Sequence, residues 1–144
     1  MRREQKAEVI AALGERLRAS ETVFAADFRG LTVTELSQLR ARLREAETEF
    51  SVVKNTLARR AASEAGREAL LPYLDGPTGI AWVAGDPAVA AKALNQFASE
   101  HPEALKVKGG LLEGADLPAA DIVRLARSLG ALQAQRAAEA PAEG

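Results

Sequence analysis

The sequence predicts an α+β fold: a two-layer sandwich in which a sheet of about four strands has helices packed against it. Short apolar runs alternate with segments whose apolar residues recur at helical spacing, which argues for one sheet covered by helices. Four strands are also few for a doubly wound sheet covered on both faces. At 144 residues the chain is long enough to bury a real core as one domain. It has no cysteine, which excludes disulfides, thiolate metal sites and thiol nucleophiles.

The elements follow in chain order. Residues 3 to 19 read as an amphipathic helix with Val9, Ile10, Leu13 and Leu17 on one face. "TVFAADF" (22 to 28) is a continuous apolar run with one late acid, the pattern of a strand buried on both faces. After the "RGL" turn, Thr32 and Glu35 have capping-box spacing, with Leu31 and Leu36 at the staple positions. The helix they open runs to about residue 47 and aligns Leu36, Leu39, Leu43 and Ala46. "FSVV" (50 to 53) is a second strand. Asn55 or Thr56 can cap the helix after it, which Gly66 interrupts.

"LDGPTG" is a turn cluster leading into the third strand, "IAWVAG". Asp86 before Pro87 is an N-cap with proline at the first helical position, opening a helix to about Glu100. "LKVKGGLLEG" reads as a fourth, glycine-broken strand and "LPAADIVRLARSL" as a last helix. Residues 1–129 are thus expected to form the folded domain. Residues 130–144, rich in Ala, Glu and Pro, are expected to form a flexible or partly helical tail.

Charge is unevenly placed. Residues 1–60 hold 12 Lys/Arg against 9 Asp/Glu, and residues 61–144 hold 7 against 11. An asymmetry of this kind is a modest pointer to a polyanion partner at one end, against a plain surface of solvated charges. The N-terminal segment has charges throughout and lacks the apolar stretch of a signal peptide. "TGIAWVAG" is far too short to span a bilayer, so a soluble intracellular protein is expected.

Catalytic chemistry finds little support. The single histidine, His101, precedes a proline at a helix end and reads as a solvated surface residue. A metal site would need further nitrogen or sulfur ligands. Asp27 ends a buried strand, where an acid can be catalytic or can be satisfied by backbone N–H groups of the "FRGL" turn. "GGLLEG" lacks both the Lys-Ser/Thr ending of a P-loop and the spacing of a dinucleotide loop, so its glycines read as a turn within an edge strand. The expectation is a non-enzyme with no cofactor and no metal.

"FSVVKNTLARR" (50 to 60) carries the sharpest functional signal. Where a strand hands over to a helix, the first helical N–H groups are unpaired and carry partial positive charge, so a phosphate can accept from them. Lys54 adds a mobile point charge there, and Asn55 and Thr56 add short donors. Arg59 and Arg60 extend the positive surface with forked guanidinium groups. The competing reading is a side-chain cap with solvated arginines. If the strands at 22–28 and 50–53 are neighbours running the same way, Arg29 and Lys54 leave the sheet at the same edge. Arg2, Arg3 and Lys6 could join them, and Gly30 would admit a close-approaching phosphodiester backbone. The few aromatic residues lie mostly in apolar runs, so an RNA would be held by shape and backbone rather than by stacked bases.

The segments "DFRGLTVTELSQLRARLREAETEFSVVKNTLARRA", "LDGPTGIAWVAGDPAVAAKAL" and "KVKGGLLEG", in this order and spacing, resemble the bacterial large-subunit ribosomal protein L-ten family, whose eukaryotic counterpart is P-zero. The resemblance covers roughly residues 4 to 127. It implies a structural constituent of the large ribosomal subunit, docked through an N-terminal α/β domain on large-subunit rRNA at the base of the stalk, beside the L-eleven protein, in the cytoplasm. It places the RNA-facing segments on Arg29 and Gly30, on Lys54, Asn55 and Thr56, and on the basic N-terminus. It also implies a second role as autogenous repressor, through binding the leader of its own messenger RNA.

Family members continue past "LARSL" into a long amphipathic helix that docks dimers of the L-seven/L-twelve stalk protein. From the end of that motif onward this sequence offers only Leu129 and Leu132 as apolar anchors. At ~2 kcal/mol each, two leucines barely offset the ordering cost of holding a dimer. Recruitment of those dimers is therefore not expected here. An assembly or regulatory RNA-binding paralogue that does not recruit the stalk remains the alternative.

Overall fold

The computed structural model describes residues 3–76 and 78–127. Arg2, Leu129, Leu132 and the 130–144 tail lie outside them. The first helix, α1 (Arg3–Ala19), buries Ile10 and Leu17, while Val9 is 38% exposed and falls off the apolar face. The first strand, β1 (Val23–Asp27), is buried through Ala26. Helix α2 (Val33–Glu45) opens on the capping box expected of Thr32 and Glu35, with both reciprocal hydrogen bonds formed. Strand β2 (Thr48–Val53) starts two residues before the expected "FSVV".

Helix α3 (Asn55–Glu64) stops where Gly66, at φ 72°, takes the left-handed conformation that closes a helix C-terminus. A 3-10 helix, Glu68–Tyr73, follows and was not foreseen. Then come β3 (Thr78–Val83), α4 (Pro87–Glu100, capped by Asp86 as expected), β4 (Lys106–Leu112) and β5 (Ala115–Pro118). A final helix, α5, covers residues 119–127 among those described.

The α+β class is found, with a five-stranded antiparallel sheet in the order β2-β3-β1-β4-β5 rather than about four strands. The added strand comes from a hairpin. Glu113 and Gly114 both have positive φ, the mark of a two-residue turn whose twist matches its strands. It converts the start of the expected last helix into β5, and it places β4 inside the sheet rather than at an edge.

The expected adjacency of β1 and β2 fails, because β3 lies between them. The reason is burial. Strand β3 is buried on both faces through Trp82 and belongs at the centre, whereas β2 alternates buried with exposed residues and suits an edge. Because both strands run antiparallel to β3, they still point the same way. Ala26 and Val52 stand opposite the same residue, Gly79, so β1 and β2 finish level, about 10 Å apart.

Helices cover both faces, so the two-layer expectation becomes three layers. Phe24, Ala26, Phe50 and Ala81 pack with α2, α4 and α5. The alternate residues Val23, Ile80, Trp82 and Leu111 pack with α1, α3 and the 3-10 helix. Short helices rich in small residues (Ala58, Ala61 and Ala62 on α3, Ala90 and Ala91 on α4) lie close enough for five strands to support a layer on each side. Gly14 of α1 faces the backbone of Ala61 in α3, and Arg67 beyond α3 donates to Leu17, Arg18 and Ser20 at the end of α1. Helices α1 and α3 therefore run parallel, both starting at the end of the sheet where β1 and β2 finish.

Candidate nucleic-acid interface

At that end the β2–α3 junction is bare. Lys54 takes the N-cap position in extended backbone (φ −74°, ψ 123°), and no side chain caps the helix. Asn55 and Thr56, expected as caps, lie inside the helix. The first intrahelical bond runs from Ala58 N–H to the Lys54 carbonyl at 3.0 Å, so the amides of Asn55, Thr56 and Leu57 precede it. The Lys54 side chain is exposed beside them.

Arg29 is at the same end but is less free than the sequence suggests. Its Nε donates to both oxygens of Asp27, at 3.2 and 3.0 Å, and its Nη2 donates to Oδ2 at 2.7 Å. The Arg29 amide also donates to Asp27 Oδ1 at 3.0 Å. The Arg29 guanidinium, foremost, holds the Asp27 carboxyl below its ordinary range against the opposing effect of burial, with the Lys108 charge helping. Asp27 in turn raises Arg29. The Arg29 side chain remains 68% exposed, and its Nη1 edge is not used by the Asp27 pair.

Gly30 has a reason within the fold as well as the one expected. A Cβ there would come within 2.4 Å of Ala104 Cα, and the Gly30 amide donates to the Ala104 carbonyl at 3.2 Å. The close approach is to the chain's own α4–β4 connection. Arg3, Lys6 and Arg60 share a groove of about 520 Å³ between the first half of α1 and the second half of α3, with Glu64 also in its wall. Arg60 sits 3.6 Å from Glu64 in an exposed pair that carries little energy. Arg59 turns the other way, its Nη1 donating to the Leu71 carbonyl at 2.9 Å. The fold thus gathers Arg29, Gly30, Lys54, Asn55 and Thr56 at one sheet end, sets Arg3, Lys6 and Arg60 beside them on the α1–α3 side, and diverts Arg59.

Two cations on β4 were missed. Lys106 stands opposite Asp27 in the register and is exposed. Lys108 occupies a bulge: Ala25 pairs with Gly109 and Ala26 with Val107, leaving Lys108 as the extra residue. Its Nζ donates to the Asp75 carbonyl and lies 3.3 Å from Thr78 Oγ1. The signal was present in "KVKGG", two cations around one apolar residue before a glycine pair, but a strand reading alone does not say where they point.

His101 is not a freely solvated residue. It stacks on Phe97 with ring centroids 4.4 Å apart, places Nδ1 3.1 Å from the Phe97 carbonyl and sets Nε2 3.0 Å from a Glu35 oxygen. The Thr32 amide, foremost, holds the Glu35 carboxyl below its usual range. Among the described residues no three His, Cys, Asp or Glu side chains stand together as metal ligands would. A cleft of about 1290 Å³ runs along the β2 edge at the far end of the sheet, with Arg16, Arg44, Glu47 and Glu49 in its walls and Asp27 outside it. No helix among the described residues is long and apolar enough to cross a membrane.

Set against known proteins, residues 1–99 match the family model described as Ribosomal protein L10. The chain is 46% identical over 142 residues to the large ribosomal subunit protein uL10 of Carboxydothermus hydrogenoformans, a match covering 91% of this chain and 80% of that protein. It is 46% identical over 126 residues to the Mycobacterium avium protein of the same name, covering 88% of this chain and 63% of that one. For the Bacillus cereus protein the identity is 47% over 111 residues, 77% and 66% of the two chains.

Proposed function

This chain belongs to the ribosomal protein L10 family, and on that premise we propose that it acts as a structural constituent of the large ribosomal subunit, gripping large-subunit rRNA with the cationic end of its sheet. One observation carries the reading: β1 and β2 finish level at the end where α1 and α3 begin, and the α3 amides there have no side-chain cap. A phosphate fits such a junction, because the helix dipole and the unpaired N–H groups are both oriented toward it. Lys54 and the outer edge of Arg29 supply mobile and forked cations, with Asn55 and Thr56 as short donors and Arg3, Lys6 and Arg60 extending the surface.

The role is structural rather than catalytic: Asp27, the carboxylate placed where a base would stand, is held by the amide and guanidinium of Arg29. From the family resemblance we also propose a cytoplasmic, ribosome-bound location next to L-eleven, and binding of the protein's own messenger leader, whose sugar-phosphate backbone the same cationic surface would suit. The test is filter binding to a transcript of bacterial large-subunit rRNA across a salt series. Lys54→Ala with Arg29→Ala is expected to weaken binding by about tenfold or more and to lower the salt slope by about two, as fewer counterions are released. Unchanged affinity and slope would remove the assignment.

A further inference from the structure

An electrostatic difficulty sits inside this site. Arg29 is joined to Asp27 through its own guanidinium, so the pair is electrically neutral and by itself offers a polyanion little. The β4 bulge supplies the missing charge. Ala26 pairs with Gly79, so Asp27 and Thr78 are cross-strand neighbours at the end of the sheet. The bulge turns Lys108 out of the regular alternation and brings its ammonium within 3.3 Å of the Thr78 hydroxyl, on the strand next to Asp27 and near enough for its charge to act on that carboxylate without a direct ion pair. The same ammonium fastens the Asp75 carbonyl, in the segment leading into β3.

We propose that Lys108 is a positioning residue of the polyanion site: it offsets the charge of Asp27, so that Asp27 can lock the Arg29 fork in place while the cluster stays net positive toward a phosphate. The inference rests on the polyanion reading above and adds a division of labour to it. Asp27 orders Arg29, which would otherwise lose rotamer freedom on binding; Lys108 cancels the field of that anchor; Arg29 and Lys54 face the ligand. The lowered Asp27 carboxyl, with Lys108 among its causes, agrees with this geometry. The half-buried setting of Lys108 reduces the screening that an exposed lysine would suffer.

The experiment is a double-mutant cycle read by binding to the same rRNA transcript at low salt, with thermal melts to verify folding. Lys108→Met keeps the apolar stem and removes the charge, and is expected to weaken binding by roughly fivefold. Lys108→Arg is expected to retain most of the affinity. Asp27→Asn placed in the Lys108→Met chain is expected to restore binding, because no anion is left to offset. A purely structural strut from Lys108 to Asp75 would not be rescued by a change at Asp27, so failure of rescue in a folded double variant overturns the proposal. If Lys54→Ala weakens binding while Lys108→Met leaves it unchanged, this inference fails and the polyanion reading stands. If neither changes binding, the polyanion reading itself fails.

Discussion

The two ends of the sheet treat the start of a helix in opposite ways. Where β3 hands over to α4, Asp86 caps the helix, its carboxylate accepting from the Ala88 amide at 2.8 Å, and Pro87 fills the first position, where an N–H would go unused. Where β2 hands over to α3, the same position holds Lys54, a cation with no acceptor, set against the positive end of the helix. The cleft at the α4 end is mixed, Glu21, Glu47, Glu49 and Glu113 sharing it with Arg16, Arg40 and Arg44, while Arg29, Lys54, Lys106 and Lys108 gather at the other end with Asp27 paired to Arg29. One junction is built for the fold alone. The other leaves its amides uncapped at some loss of local stability, and on the function proposed above that loss reflects the competing demands of a site and its scaffold.

The largest expected effect separates the two ends by packing. Gly30→Ala puts a Cβ 2.4 Å from Ala104 Cα, a contact that only a backbone shift can relieve, and should cost about 2–3 kcal/mol of unfolding free energy in denaturant titration. Gly85→Ala at the far end meets first the Glu47 carboxylate, a flexible side-chain end at 2.8 Å, and should cost under about 1 kcal/mol. Equal losses would mean that Gly30 is not held by its own chain, returning it to the ligand-approach role that the sequence suggested.

The next effect reverses sign between the ends. Asp86→Ala removes a working cap and should destabilise by about 1 kcal/mol, whereas Lys54→Asp installs one and should stabilise by about 0.5–1 kcal/mol while abolishing rRNA binding. If Lys54→Asp lowers the melting temperature, the trade between stability and function inferred here is wrong.

The smallest effect is in acid. Because the folded-state pKa of Asp27 is lowered, its contribution is complete above the unfolded value near 3.8 and is lost as pH falls through the lower folded value. Asp27→Asn should therefore flatten the stability curve below about pH 4 and leave its shape unchanged at neutral pH. Glu49, lowered mainly by Arg16 at the other end, should behave likewise but more weakly, since its side chain is 65% exposed. An acid limb unaltered in Asp27→Asn would mean that the Arg29 pair does not persist in solution.

Much of the fold was legible because it is local. Thr32 with Glu35, Asp86 with Pro87, and the apolar runs at Val23 and Ile80 each announce their element within a few residues. The candidate site was legible only as composition: Lys54, Asn55 and Thr56 mark a strand–helix junction, but whether a side chain caps it depends on backbone geometry. Arg59 and Arg60 are adjacent in sequence, yet only Arg60 reaches the groove shared with Arg3 and Lys6, because successive helical residues point about 100° apart. Lys108 could not be found by alternation, since a bulge is a break in alternation.

Sequence alone determined most of the helices and the first four strands, where several of them begin, and that cations cluster before residue 61. These depend on propensity, caps and periodicity, whose range is a turn or two. Tertiary structure alone decided that β3 separates β1 from β2, that a hairpin adds β5, that both faces are covered, and that Arg29 is held by Asp27 with Lys108 alongside. Those outcomes turn on which distant surfaces exclude water from one another and which charges end up neighbours. No local pattern encodes them.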